Sequence, residues 1–214
     1  MGKLSSKDLF HLLYDQYGET NWWPADSTYE RMVGAILVQN TNWTNVELAL
    51  DRLRQATDLQ AHHILSLSQD DLISLIRPAG FFNNKSRGIL AMTEWLVAHD
   101  IDYQNITESY GKNLRQELMK LPNIGPETAD VYLLYAFRQI EFIADKYAQK
   151  LYTHLGVEGI KNYPSLKKQV SMEDFNLAEA QEFHALIVEF GKDYLRGAGR
   201  FEESFLSGYS LRHI

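Results

Sequence analysis

The chain of 214 residues contains no cysteine. That removes disulfides, thiolate metal sites and cysteine-ligated iron–sulfur clusters at once. Glycine and proline are sparse, at 13 and 5 residues, and no segment is low in complexity, which argues against a disordered or linker-rich protein. No run approaches the roughly 20 apolar residues that a membrane span needs. The opening MGKLSSKDLF lacks the apolar stretch of a signal peptide, so a cytoplasmic protein of bacterial type with no membrane partner is the expectation. Positive charge is also in short supply: 21 Lys and Arg stand against 28 Asp and Glu, for a net charge of −7. Taken alone, that balance speaks against nucleic acid as a partner, because phosphate contacts usually come from a basic surface. Only a strong local motif can reverse it, since the field at a site matters more than the total.

What is present is apolar residue at helical spacing. The 45% apolar content suffices for one good core, or for two lobes sharing the chain. Ser5 to Tyr17 places Leu9, Phe10, Leu12, Leu13 and Tyr17 on one broad face. Trp22-Trp23-Pro24 interrupts. Ser27 with Glu30 three places on has the spacing of a capping box, and the apolar run Met32 to Val38 follows. Further helices are predicted over 44–55, 68–76, 85–98, 111–120, 126–137, 145–155 and 177–194, and Pro78 with Gly80 stops the second of these regions. Alternating strand patterns are scarce. The prediction is an all-α protein of roughly ten helices with short loops. His62-His63 has no partners at metal spacing and reads as a solvated loop, and His184 to Glu189 is not a zinc motif. Glu202 and Glu203 read as solvated surface, while for Lys85 and Lys146 phosphate contacts and ordinary surface positions are indistinguishable.

The most informative stretch is LPNIGPETADVYLLYAF, residues 121–137. It reads as a helix end, a tight turn and a new helix. Pro122 and Asn123 favour the turn, Gly125 can take positive φ, and Pro126 suits the first helical position, where its missing N–H would be unpaired anyway. A glycine turn that opens a helix aims backbone N–H groups and the positive end of the helix dipole outward, and can hold a phosphate without Lys or Arg. From these residues alone, an αα-hairpin with ordinary turn chemistry is as good a reading.

LPNIGPETA resembles the helix-hairpin-helix of the endonuclease III superfamily of DNA glycosylases, which commonly reads L-P-G-[IV]-G-x-x-T-A. Four further segments match in family order. AILVQNT resembles the helix ending in Gln and identifies Gln39. AGFFNNKS resembles the glycine-led loop and puts Phe81 near the wedge position. FIADKYAQKL puts Asp145 at the position of the family's catalytic Asp, and HALIVEFGKDY resembles the last helix, which carries Lys192. The similarity spans roughly residues 27 to 195. It implies two helical lobes in the endonuclease III-like fold: 1–26 with 138–214 forming the lobe that carries Asp145, and 27–137 forming a central lobe with the helix-hairpin-helix at 112–137.

Two departures define the subtype that the resemblance implies. Members with β-lyase activity carry a Schiff-base Lys immediately before the hairpin Thr. Here Glu127 precedes Thr128, and Glu is no amine nucleophile. Most members end in four Cys around an iron–sulfur cluster, whereas Leu195 stands where the first would be. NWWP, together with QNTNW after the helix, is similar to the 3-methyladenine glycosylase branch that lacks the cluster. That similarity makes Trp22, Trp23 and Trp43 candidates for a base pocket; Lys192 is grouped with them because on the last helix it could approach Asp145, with an ordinary surface lysine as the open alternative. Gln39, Phe81, Asn123, Ile124, Gly125 and Thr128 are candidates for contact with DNA, and Asp145 is the candidate catalytic residue. The implied partner is double-stranded DNA with damaged bases, bound by a monomer. No resident cofactor is implied, although a monovalent cation in the hairpin is compatible with the family. A glycosylase for oxidised or mismatched pyrimidines would share Gln39 and Asp145, and a DNA-binding protein without activity would share the hairpin.

Overall fold

The computed structural model describes residues 3–197 and 200–212 and is almost wholly helical. The chain forms two compact units, Met1–Trp23 with Arg138–Ile214, and Pro24–Phe137.

The unit built from both ends of the chain contains α1 (Ser6–Tyr17) and a short β1 (Lys3–Leu4) that pairs in parallel with Ser210–Leu211. The two-residue strands carry no alternating pattern, so sequence periodicity does not reveal them. Ser5 caps α1 in a full capping box with Asp8. Leu9 and Leu13 are completely buried on its inner face, each burial worth about 1.5–3 kcal/mol. An aromatic cluster forms this unit's core: Phe183 lies 6.0 Å from Phe10, 5.2 Å from Phe175 and 6.1 Å from Phe142 between ring centroids.

The Pro24–Phe137 unit starts with α2 (Thr28–Leu37), capped by the Ser27 side chain through the Glu30 N–H. The expected capping box closes one residue early: the Glu30 carboxylate accepts from Asp26 N–H and pairs with Arg54. That pairing explains how a nearly inaccessible carboxylate is tolerated. Then follow α3 (Trp43–Thr57), α4 (Ala61–Ser66), α5 (Gln69–Ile76), α6 (Phe82–Val97), α7 (Tyr103–Tyr110), α8 (Leu114–Leu118) and α9 (Pro126–Tyr135). His62 and His63 lie on α4 rather than in a loop, and the His63 ring bonds the Thr57 carbonyl at 3.0 Å. Helix α6 starts three residues before the predicted start at Lys85, and 111–120 splits into a 3-10 turn (Gly111–Asn113) and α8. The core is closed by polar bonds as well as packing. Tyr132 donates to the Met32 carbonyl at 3.0 Å, and Arg115 grips the buried Asp130 through two nitrogens at 2.7 and 3.1 Å.

The chain then returns to the first unit with α10 (Lys146–His154), α11 (Tyr163–Lys167), α12 (Leu177–Tyr194) and β2 (Ser210–Leu211). Among the described residues, no helix is long and apolar enough to cross a membrane.

Candidate active site

The turn between α8 and α9 is built around Asn123, not Gly125. Asn123 takes the left-handed conformation at φ +63°, whereas Gly125 is extended at φ −89°, ψ −178° and occupies the N-cap of α9. Asparagine tolerates the left-handed region because its short side chain can bond locally. Here it reaches a residue 84 positions away: Asn123 Nδ2 donates to Gln39 Oε1 at 3.0 Å. Gln39 Nε2 in turn donates to the Asn123 carbonyl at 3.1 Å and to Thr128 Oγ1 at 2.9 Å. Gln39 follows α2, so this network ties the end of α2 to the hairpin. Ile124 is buried and anchors the turn, while Gly125, Pro126 and Glu127 are exposed. Among the described residues, no side chain caps α9. Gly88 on α6 leaves room for the turn: a Cβ there would stand 3.0 Å from the Asn123 Cβ and 3.1 Å from the Pro122 carbonyl oxygen.

Phe81 heads α6 in an unusual state. Its backbone is left-handed at φ +47°, and its side chain is 65% exposed. Left-handed backbone costs an L-residue with a Cβ roughly 1–2 kcal/mol. Burial cannot be the reason this ring is held there. Its neighbour Phe82 is half-buried, with the Arg77 guanidinium 4.8 Å from the ring centroid. Trp43 opens α3, half-buried, and donates from Nε1 to Glu47 at 2.9 Å. Lys85 is not a surface lysine. It is 1% exposed, and its ammonium donates to the carbonyls of Leu37 at 2.9 Å and Ala79 at 2.7 Å.

In the other unit, Asp145 is the N-cap of α10. Its Oδ1 accepts from the Ala148 N–H at 2.7 Å, which fixes the half-buried carboxyl at the positive end of the helix dipole. Helix α10 is docked on α12 by a steric match. Gly191 faces the Tyr147 ring so closely that a Cβ would lie 2.2 Å from Cδ1, and the Tyr147 hydroxyl accepts from Arg196 Nε at 2.9 Å. One residue past Gly191, the Lys192 ammonium lies 5.1 Å from the centroid of the Trp22 ring and bonds Glu189 at 2.5 Å. Lys192 is therefore half-buried and engaged on an aromatic face. The Trp22 segment is pinned by Glu182 of α12, which accepts from the Thr20 N–H at 2.7 Å, and Trp23 beside it is buried. His184 is buried in α12, and loss of hydration pushes its imidazole down to about pKa 4.

The structure thus gathers Gln39, Asn123 and Thr128 into one network, and Trp22, Lys192 and Glu189 into another. Sequence reasoning misses Glu189, Tyr147 and Glu182. Glu189 is readable in principle from its i,i+3 spacing to Lys192, and Gly191 inside a strong helix pattern is a sign of close approach. Glu182 has no such sign. Among the described residues, no group of three or more His, Asp or Glu side chains could hold a metal ion.

An almost wholly helical chain with a glycine-opened hairpin and a carboxylate heading the following helix is of the helix-hairpin-helix class. Residues 33–180 match the model of the HhH-GPD superfamily base excision DNA repair protein, and the chain belongs to that family of DNA glycosylases. A protein of Methanocaldococcus jannaschii provisionally named a DNA repair glycosylase is 39% identical over 196 residues, covering 88% of this chain and 87% of that one. The crystal structure of the Helicobacter pylori 3-methyladenine DNA glycosylase MagIII bound to 1,N6-ethenoadenine is similar at TM-score 0.74 and 26% identity, over 89% of this chain and 98% of that chain. A non-covalent endonuclease III–DNA complex shares the fold at TM-score 0.74 with 19% identity, over 94% of this chain and 92% of that one.

Proposed function

We propose that this chain is a monofunctional DNA N-glycosylase that takes alkylated bases such as 3-methyladenine out of double-stranded DNA and hydrolyses their bond to the sugar. It would act as a monomer and leave an abasic site. The observation that carries the reading is Asp145, a carboxylate locked at the head of α10 by its bond to Ala148. Positive charge develops on the sugar as the glycosidic bond breaks, and a fixed carboxylate stabilises it and orients or deprotonates the attacking water. Fixing the group beforehand means that little reorganisation is needed during reaction.

What the side chains supply supports this substrate class. A 3-methylated purine is cationic and leaves without being protonated, so no general acid is required. Trp22 already holds a cation against its ring, and Trp23 and Trp43 are the other aromatic candidates for the base. An aromatic face favours a cation by about 0.5–2 kcal/mol and stacks on any base by about 1–3 kcal/mol. In this reading Gln39 fills the vacated position and Phe81 wedges beside it. Backbone groups at Asn123, Ile124 and Gly125 and the Thr128 turn hold a phosphate, with or without a monovalent cation. Glu127 removes the amine that a lyase needs.

Base release from methylated duplex DNA tests the reading. The wild type should liberate 3-methyladenine, Asp145→Asn should not, and both should bind the duplex. Borohydride should trap no covalent enzyme–DNA adduct. Equal release by Asp145→Asn overturns the mechanism, a trapped adduct overturns the monofunctional assignment, and release of oxidised pyrimidines alone moves the substrate to the other branch.

A further inference from the structure

The turns carrying Gln39 and Phe81 share an internal tie. Leu37 is the last residue of α2, two positions before Gln39, and Ala79 ends the 3-10 turn Arg77–Ala79, two positions before Phe81. The carbonyls of these two residues receive the Lys85 ammonium at 2.9 and 2.7 Å. Both carbonyls lie at helical C-termini, where acceptors lack intrahelical partners and the dipole favours a cation. No carboxylate accompanies them: among the described residues Lys85 makes no ion pair. Burial pushes its pKa down to about 8. A buried ammonium without a counter-ion is an expensive way to fill space that a methionine could fill. What methionine cannot do is hold two backbone segments at a set separation.

We propose that Lys85 is a positioning residue that fixes the spacing between the Gln39 turn and the Phe81 turn, so that both side chains enter the duplex at one lesion. The inference rests on the roles given to Gln39 and Phe81 above. Asn123 and Thr128 restrain Gln39 only from the hairpin side, and the left-handed backbone at Phe81 must be held by something other than its own exposed side chain. Lys85, four residues into the same helical start, supplies that hold from within.

The chain lacks cysteine, which permits a specific chemical test. Lys85→Cys is alkylated in denaturant with 2-bromoethylamine, giving a thialysine at position 85 alone, or with a propyl halide, giving its uncharged counterpart; both are refolded. Lys85→Met and Phe81→Ala are compared in parallel. The readouts are melting temperature and affinity for two duplexes, one undamaged and one with a tetrahydrofuran abasic-site analogue. The positioning role requires the S-propyl and Met proteins to lose about tenfold on the abasic duplex. They should change by no more than about twofold on the undamaged one, and thialysine should restore the loss. Equal losses on both duplexes, or none on the abasic one, overturn it. Neutral variants that do not refold while the thialysine form does would make Lys85 a determinant of folding only, which also overturns it. If Phe81→Ala weakens abasic binding and the Lys85 variants do not, Lys85 alone fails; if Phe81→Ala has no effect, the wedge reading fails and the positioning role with it.

Discussion

Gln39 and Asn123 hold each other through two hydrogen bonds, Nδ2 of Asn123 to Oε1 of Gln39 and Nε2 of Gln39 to the Asn123 carbonyl. With Thr128 taking the second amide hydrogen, the Gln39 side chain is fully engaged by the hairpin. To take up the base position proposed for it, the side chain would have to leave these partners, so the structure shows it latched to the hairpin. Gln39→Ala removes three bonds and strands polar atoms on a turn with a left-handed residue. Stability of the Pro24–Phe137 unit should fall by about 1–3 kcal/mol, and affinity for undamaged duplex should fall with it. Denaturant unfolding of wild type and variant decides this; an unchanged midpoint removes the latch.

Asp145 caps α10, and two substitutions separate that role from the catalytic one proposed for it. Asparagine caps a helix as well as aspartate does, whereas alanine costs about 1 kcal/mol at that position. Asp145→Asn should therefore unfold at the wild-type midpoint and release no base, and Asp145→Ala should lose both stability and release. If Asp145→Asn were destabilised as much as Asp145→Ala, loss of its activity would say nothing about chemistry.

Local chemistry is legible in the amino acids themselves. Helix α12 follows the predicted 177–194 to the residue, because a capping asparagine precedes a long amphipathic run. Asp145 as a cap and the hairpin start at Pro126 are equally readable, since capping depends on neighbours in the chain. Long-range geometry is not. Lys85 sits in a polar run, NNKSRG, that looks like surface, and only the approach of two helix ends buries it. Gly125 is the natural candidate for positive φ, yet Asn123 takes it because a partner 84 residues away rewards the conformation. Lys192 likewise gains its aromatic contact from Trp22, remote in sequence.

Phe81 allows a prediction in which stability and function move oppositely. Its ring is mostly in solvent and its backbone is left-handed. Phe81→Asn keeps a residue that accepts this conformation and forfeits little packing. The melting temperature should rise, by the equivalent of about 0.5–1 kcal/mol, while affinity for an abasic-site duplex falls. A variant that loses stability would show that the ring packs, and one that keeps abasic affinity would show that it does not wedge.

His184 makes the stability of the unit formed by the chain's two ends depend on pH. Folded, the buried imidazole is held neutral, with its pKa pushed down to about 4 by loss of hydration; unfolded, it protonates near 6.5. Between those values the unfolded chain binds the extra proton, so stability must fall as pH drops from about 6.5 toward 4 and change no further from this cause below that. The slope is about 1.4 kcal/mol per pH unit, and the full loss is on the order of 3 kcal/mol. The carboxylates of Asp8 and Glu179, held below their usual range by hydrogen bonds from Ser5 and Lys7 respectively, contribute in the same direction but only once pH passes below about 4.5. Comparing wild type with His184→Asn over the interval from 6.5 to 5 therefore singles out His184. Chemical unfolding across that interval should show the slope in wild type and a flatter line in His184→Asn, whatever the variant's stability at pH 7. Parallel lines would mean that the imidazole is hydrated or already charged in the folded chain.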